Sequence, residues 1–260
     1  MRKTNLFAAA IAATAMTSAA SAQVLINEFE PNQVGADAAT QVIELLGTPG
    51  ETFDGFLISI ESDPGAPGVI SNSGPDDDIE PISGTFDANG LLLVEIGDLE
   101  NPSFTLLLTD TFTGFNEDGG SATDPAAGGV PTDIDTDDDG FVDDLSAFGT
   151  IFDAIGISDA DDEPVYGAEL GGVDFAFTGD EPGLVFRDGA NPSTILAVND
   201  PAGELIFDQD GNTFEIASLG FDPVTPTFGE VNPSVGVIPE PASLGLLGVA
   251  GLGLLRRRSA

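Results

Sequence analysis

Residues 133 to 144 read DIDTDDDGFVDD, the densest group of potential metal ligands in the chain. Counted from Asp135, hard oxygen donors fall at positions 1, 3 and 5 (Asp135, Asp137, Asp139). Gly140 follows where such a loop must turn sharply, the backbone carbonyl of Phe141 is available at position 7, and Asp143 stands at position 9. Carboxylates this close repel one another unless a cation or protons sit among them. Oxygen-only donors at this spacing predict a hard divalent cation, and Ca2+ is the expected cofactor. Position 12 is Ser146 instead of the bidentate glutamate, which excludes a complete EF-hand. Affinity in the extracellular range, about 10⁻⁴–10⁻³ M, follows.

The run resembles the DxDxDGxxDD loops of dockerin and thrombospondin-type calcium repeats. Three other acidic stretches, Asp76–Asp78, Asp159–Glu163 and Asp208–Asn212, read as charged turns.

Other chemistries have less to build on. The 260-residue chain holds no histidine and no cysteine, which excludes Ser-His-Asp and Cys-His nucleophiles, a His/Cys zinc site and any disulfide framework. A carboxylate pair for glycoside hydrolysis has acids to draw on, but tryptophan is absent and no pair stands out. The expectation is therefore no enzyme, with an extracellular metal-dependent hydrolase of polysaccharides or phosphodiesters as the alternative. Arg187 beside Asp188 reads either as a buried ion pair or as a surface arginine in a turn.

Both ends carry addressing patterns. Arg2 and Lys3 precede an apolar stretch from Leu6 to Met16, and Ala20-Ser21-Ala22 offers small residues before Gln23. This is the pattern of a secretory signal peptide cut between Ala22 and Gln23. At the other end, VIPEPASLGLLGVAGLGLLRRRSA runs from Val237 to Ala260. Pro239-Glu240-Pro241 is stiff, Ala242 to Leu255 carries no charge, and Arg256, Arg257 and Arg258 close the run. The apolar part is shorter than the roughly 20 residues of a full helical span, and the arginines would hold it by snorkelling on the cytoplasmic side.

This end closely resembles the PEP-CTERM sorting signal of exopolysaccharide-producing bacteria. The resemblance implies export through the secretion machinery, transient membrane anchoring, and processing by an exosortase near Pro239–Pro241. It places the product at the cell surface or in the extracellular matrix. The expected organisation is 1–22 signal peptide, 23–236 folded body and 237–260 sorting signal, with a hydrophobic helix at each end.

The body itself is strongly acidic. Of 45 carboxylates, 44 lie between Gln23 and Ile238, Glu240 being the other, against Arg187 as the single basic residue there. Such a surface repels nucleic acid and anionic lipid. Divalent cations bridging it to anionic polysaccharide are the expected link to a partner. The 18 phenylalanines and many Leu, Ile and Val residues call for a packed core instead of disorder.

Short β-branched and aromatic runs bounded by Gly, Pro, Asn and Asp predict strands at 24–29, 41–46, 53–60, 91–96, 104–108, 151–157, 173–177, 183–186, 194–198 and 213–216. Two of them, 91–96 and 104–108, are near-continuous apolar runs expected to be buried on both faces. Asp110 to Pro131 reads as a long surface loop and Asp159 to Gly172 as a second, acidic one. This is an all-β body, one β-sandwich with long acidic loops.

Asn27-Glu28, Ile43-Glu44-Leu45, Gly55-Phe56-Leu57 and Ile151 to Ile157 resemble segments of the lamin-tail domain, as do Thr225-Pro226 and Asn232 near the end. Phe56 stands where that family usually has tryptophan, and the length implies insertions. The resemblance implies an immunoglobulin-like sandwich.

Overall fold

The computed structural model describes residues 23–32, 40–62, 65–71, 79–97, 99, 103–161, 163–179, 181–199, 205–214 and 225–235. The signal-peptide stretch, the sorting signal and the two expected terminal helices lie outside the described residues. Among the described residues there is no helix, and so none long and apolar enough to cross a membrane.

Twelve strands form two sheets. They are β1 (Leu25–Phe29), β2 (Thr40–Leu46), β3 (Thr52–Glu61), β4 (Ile79–Thr85), β5 (Leu91–Gly97) and β6 (Phe104–Thr109), followed by β7 (Ile151–Ile157), β8 (Val173–Phe175), β9 (Pro182–Asp188), β10 (Asn191–Asn199), β11 (Leu205–Asp208) and β12 (Thr213–Phe214). One sheet has the order β12-β11-β10-β9-β1-β2-β5, the other β4-β3-β6-β7-β8. Every pairing is antiparallel except β7 with β8. The body is therefore an all-β sandwich of two sheets.

The period-two rule sorts the side chains into layers. Along β6, Phe104, Leu106 and Leu108 point between the sheets, where they meet Ile26, Phe29, Ile43, Leu45, Ile155 and Val185 in the main core. The alternate residue Leu107 faces the other way and packs with Ile58, Ile60, Ala154, Ile134 and Tyr166 in a second core outside the five-stranded sheet. The long segments after β6 and β7 supply that outer layer. Leu184, Phe186, Leu196, Val198 and Ile206 form a third, smaller cluster on the outer face of the other sheet.

These layers explain how the strand expectations came out. All of β6 is buried, because both of its faces are covered. The 91–96 run is different: β5 is the edge of its sheet, with Leu93 47% exposed and Glu95 exposed, so it is not buried on both faces. Asp87 accepts the backbone N–H groups of Asn89 (2.7 Å) and Leu91 (2.9 Å), closing the turn at Asn89-Gly90. Glu80 accepts the Gly97 N–H (3.0 Å) at the other end of this edge.

Two strands, β4 and β11, were not anticipated from sequence, and β8 ends at Phe175 instead of running on to residue 177. The segment expected as a solvated loop from Asp110 to Pro131 is partly buried, with Phe112 and Asn116 enclosed. Its backbone is paired to neighbours at Phe112–Phe148, and the Glu117 N–H donates to the Ile70 carbonyl (2.9 Å).

Candidate functional site

The acidic loop is built around one buried apolar residue. Ile134 is fully enclosed in the outer core, and its N–H donates to the Gly68 carbonyl (2.9 Å). Its own carbonyl accepts from the Asp143 N–H (2.6 Å), which folds the far end of the loop back on the near end. Gly68 has φ +83° and lies so close that an added Cβ would sit 2.7 Å from the Asp135 Cβ. A side chain is excluded there on both counts.

Asp135 follows Ile134 into the protein and is fully buried. Its Oδ1 accepts the N–H of Asp139 (3.0 Å), and its Oδ2 accepts the N–H of Gly140 (2.8 Å) and the Tyr166 hydroxyl (2.9 Å). The expected sharp turn is present: Gly140 has φ +85°, and Asp138 also takes the left-handed conformation at φ 55°. Asp143 accepts both the N–H (3.2 Å) and the hydroxyl (2.7 Å) of Thr136. These bonds bring carboxylate oxygens of Asp135, Asp137 and Asp143 all within 4.8 Å of one another, Asp135 buried and the other two exposed.

From the expected ligand set the fold thus gathers three carboxylates. Asp139 is not one of the three: its N–H is bound to Asp135, and its Oδ1 accepts the Phe141 N–H (3.2 Å). The Phe141 side chain is 61% exposed. Asp139 still acts on the trio by charge, and its repulsion is the largest cause raising the Asp137 carboxyl above its ordinary range. Asp133 is raised as well, chiefly by burial, with Asp138, Asp135 and Asp143 adding to the effect.

Three convergent carboxylates, all hard oxygen donors in a chain without histidine or cysteine, could hold a hard metal cation. Beside the trio lies an open groove of about 390 Å³, lined in part by Thr113, Phe115, Thr132, Asp133, Thr136 and Asp144.

A second group of acids is buried on the outer face of the seven-stranded sheet, beneath the 225–235 segment. Glu28 on β1 and Glu44 on β2 face each other across the strand pair and are buried. Glu28 accepts the N–H (2.8 Å) and hydroxyl (3.0 Å) of Thr227. Glu44 accepts the Asn27 amide (2.5 Å) and the Gly229 N–H (2.6 Å). Burial is the main cause raising both, with Glu28 pushed up to about 7. Asp188, at the end of β9, takes the Ser234 hydroxyl on both oxygens (3.0 Å each) and the Val235 N–H (2.8 Å).

Arg187 is buried, and its ion-pair partner is Asp153 on β7 (2.6 Å), not the adjacent Asp188. Its remaining donors go to the carbonyls of Ile26 (2.7 Å) and Pro192 (2.6 Å). Asp153 also accepts the Ile26 N–H (2.9 Å), so this pair ties the two sheets together. Burial pushes the Asp153 carboxyl up and Arg187 works against that push.

Several of these residues carried no clear sequence signal. Tyr166, the donor to Asp135, lies in what reads as an acidic loop; being the sole tyrosine was the available hint. Glu169, which accepts the Val142 N–H (2.8 Å), is equally remote. Of the turns read as weaker acidic motifs, Asp208 accepts the N–H groups of Asp210 (3.0 Å) and Asn212 (2.8 Å), the pattern of a charged turn.

The expected cleavage position at Gln23 is exposed, its amide donating to the Phe152 carbonyl (2.8 Å), while Ala22 lies outside the described residues. Pro239, Glu240, Pro241 and Arg256–Arg258 are likewise outside them.

The family comparison bears on that last segment. Residues 237–259 match the PEP-CTERM protein-sorting motif. The chain therefore carries the signal of an exported, exosortase-processed protein that is transiently held in the membrane by its C-terminal region. No curated protein and no solved structure matches the chain.

Proposed function

We propose that the body is a non-enzymatic structural or adhesive component of the cell surface or exopolysaccharide matrix. In this reading calcium is held by Asp135, Asp137 and Asp143, and divalent cations link the acidic surface to anionic polysaccharide. The observation that carries it is the convergence of those three carboxylates beside a hydroxyl- and carboxylate-lined groove. A body with 44 carboxylates and one arginine has little means of its own to relieve repulsion, so cations from outside must do it.

We also read the sandwich as lamin-tail-like and immunoglobulin-like. In support, the Glu of Asn27-Glu28 and the Glu of Ile43-Glu44-Leu45 both hold the Thr225–Asn232 segment, so the motif pieces are joined in space.

The test is co-sedimentation of residues 23–236 with an acidic, uronic-acid polysaccharide in calcium and in chelator at matched ionic strength. Calcium-dependent binding lost in Asp137→Asn with Asp143→Asn is expected. Binding that is indifferent to calcium sinks the bridging reading. Calcium-dependent cleavage of the polymer, lost in the same variant, replaces it with a hydrolase.

A further inference from the structure

The residues just upstream of the sorting motif are built into the fold. Thr227 is held by Glu28 of β1 through two bonds, and the Gly229 N–H by Glu44 of β2 (2.6 Å). The buried Asn232 amide donates to the carbonyls of Asn27 (3.3 Å) and Arg187 (2.9 Å), while its oxygen accepts the Thr227 hydroxyl (3.1 Å). The Gly189 N–H donates to the Pro233 carbonyl (3.1 Å), and Asp188 takes both Ser234 and Val235. Val235 also packs against the outer cluster of Leu184 and Phe186. A Cβ on Gly189 would meet the Asn232 carbonyl oxygen at 1.9 Å, so the contact is made backbone to backbone.

We infer that Thr225–Val235 is a strap that sets how far the Pro-Glu-Pro processing point reaches from the folded body, and that the docked strap restrains exosortase processing. The geometry is one of length. Val235 is the last described residue of the strap and Pro239 is four residues on, at most about 14 Å away at full extension. The apolar span begins directly after Pro241, so the processing point lies at the membrane surface.

With the strap docked, the enzyme that cleaves there must work against a folded, acidic body held within that reach. Undocking the strap adds its own 11 residues, about 35–40 Å of further reach. The docking carboxylates come from β1, β2 and β9, at residues 28, 44 and 188 of the sequence, so the strap can close only once those strands have assembled. An incompletely folded body therefore offers a long stem, and a completed one a short stem.

The experiment is a pulse-chase of the full chain in cells that carry the exosortase, reading conversion of precursor to the shorter product. One variant places a Gly/Ser linker of about ten residues between Val235 and Gly236, adding an r.m.s. span of about 17 Å while leaving every strap contact in place. A second, Thr227→Val with Ser234→Ala, removes the side-chain bonds to Glu28 and Asp188. Both are expected to convert several-fold faster than the natural chain, and combining them is expected to add nothing beyond the linker alone. Conversion of the linker variant at the natural rate, or more slowly, overturns the proposal. So does acceleration in the strap-weakened variant without acceleration in the linker variant, since that pattern reports loss of stability instead of reach.

Discussion

The protein handles negative charge in two opposite ways. In the loop from Asp133 to Asp144 the carboxylates are mostly exposed and crowded against one another; the donors they receive come largely from the loop's own backbone. On the sheets, Glu28, Glu44, Asp153 and Asp188 are buried and each has donors assigned from distant parts of the chain. Burial without a compensating donor is costly, so an acid survives in the core only where the fold supplies one. Crowding at the surface costs less and leaves oxygens facing outward. The inner acids thus hold the fold, and the outer ones remain able to bind something else.

The largest effect belongs to the inner group. Arg187→Met removes the cation facing Asp153 and the donors to the Ile26 and Pro192 carbonyls. Removing one partner of a buried pair leaves the other charge uncompensated, at a cost of about 3–5 kcal/mol. Urea denaturation of residues 23–236 should register that loss. A decrease below about 1 kcal/mol, the size of an exposed pair, would place Asp153 and Arg187 with the outer acids.

Next comes pH. Glu28 has its carboxyl raised from 4.5 to about 7 by burial, so the folded state holds this proton more tightly than the unfolded chain. The associated stability is fully present below about 4.5 and is lost as pH rises through about 7, an effect of at most about 3 kcal/mol. Glu30, Glu44 and Asp174 are raised chiefly by burial and act in the same direction. The body should therefore gain stability on going from pH 7.5 to pH 5. The hydrogen bonds allow this, because Thr227 can accept the Glu28 proton while its hydroxyl donates to Asn232. Glu28→Gln mimics the protonated form and should flatten the pH profile at high salt, where general charge repulsion is screened. An unchanged slope in that variant would assign the pH dependence to surface repulsion alone.

The sequence made the framework legible where apolar runs were long and bounded by turn residues, as in β3, β6 and β7. It failed where the code is shared between distant segments. β4 contains Pro81 and Gly84 and was hidden by those breakers, yet it sits at a sheet edge, where Pro is tolerated. β5 looked like a central strand because its apolar run does not record which neighbour is missing. In the site, Asp135 and Gly140 followed from spacing, since a tight loop imposes local rules. Tyr166, Glu169 and the pairing of Arg187 with Asp153 did not, because each depends on which segments the sheets bring together. Glu28 and Glu44 carried a faint signal, an acid in the middle of an otherwise apolar strand.

The outer group should answer to calcium by a smaller amount. At about tenfold excess over Kd, native-state binding adds about 1.4 kcal/mol, a few degrees in Tm for a body of this size. Calorimetry of residues 23–236 in calcium and in chelator should find that increment, and Asp137→Asn should abolish it. Arg187→Met should leave the increment in place if the two acid groups are independent. Loss of the calcium response in that variant would mean the loop depends on the inner ion pair.

The smallest effect concerns Phe141, which sits at the seventh loop position with its side chain 61% exposed. A ligand at that position contributes through its carbonyl oxygen, so the identity of the side chain is immaterial to a cation. Phe141→Ser should therefore change stability by no more than about 0.5 kcal/mol, as for other exposed substitutions, and leave the calcium increment intact. Loss of polysaccharide co-sedimentation in this variant, with calcium stabilisation unchanged, would separate the two roles of the outer loop. It would assign the exposed ring to ligand contact and the carboxylates to the metal. Loss of the calcium increment would instead mean that the ring holds the loop closed, and the outer acids would then depend on packing as the inner ones do.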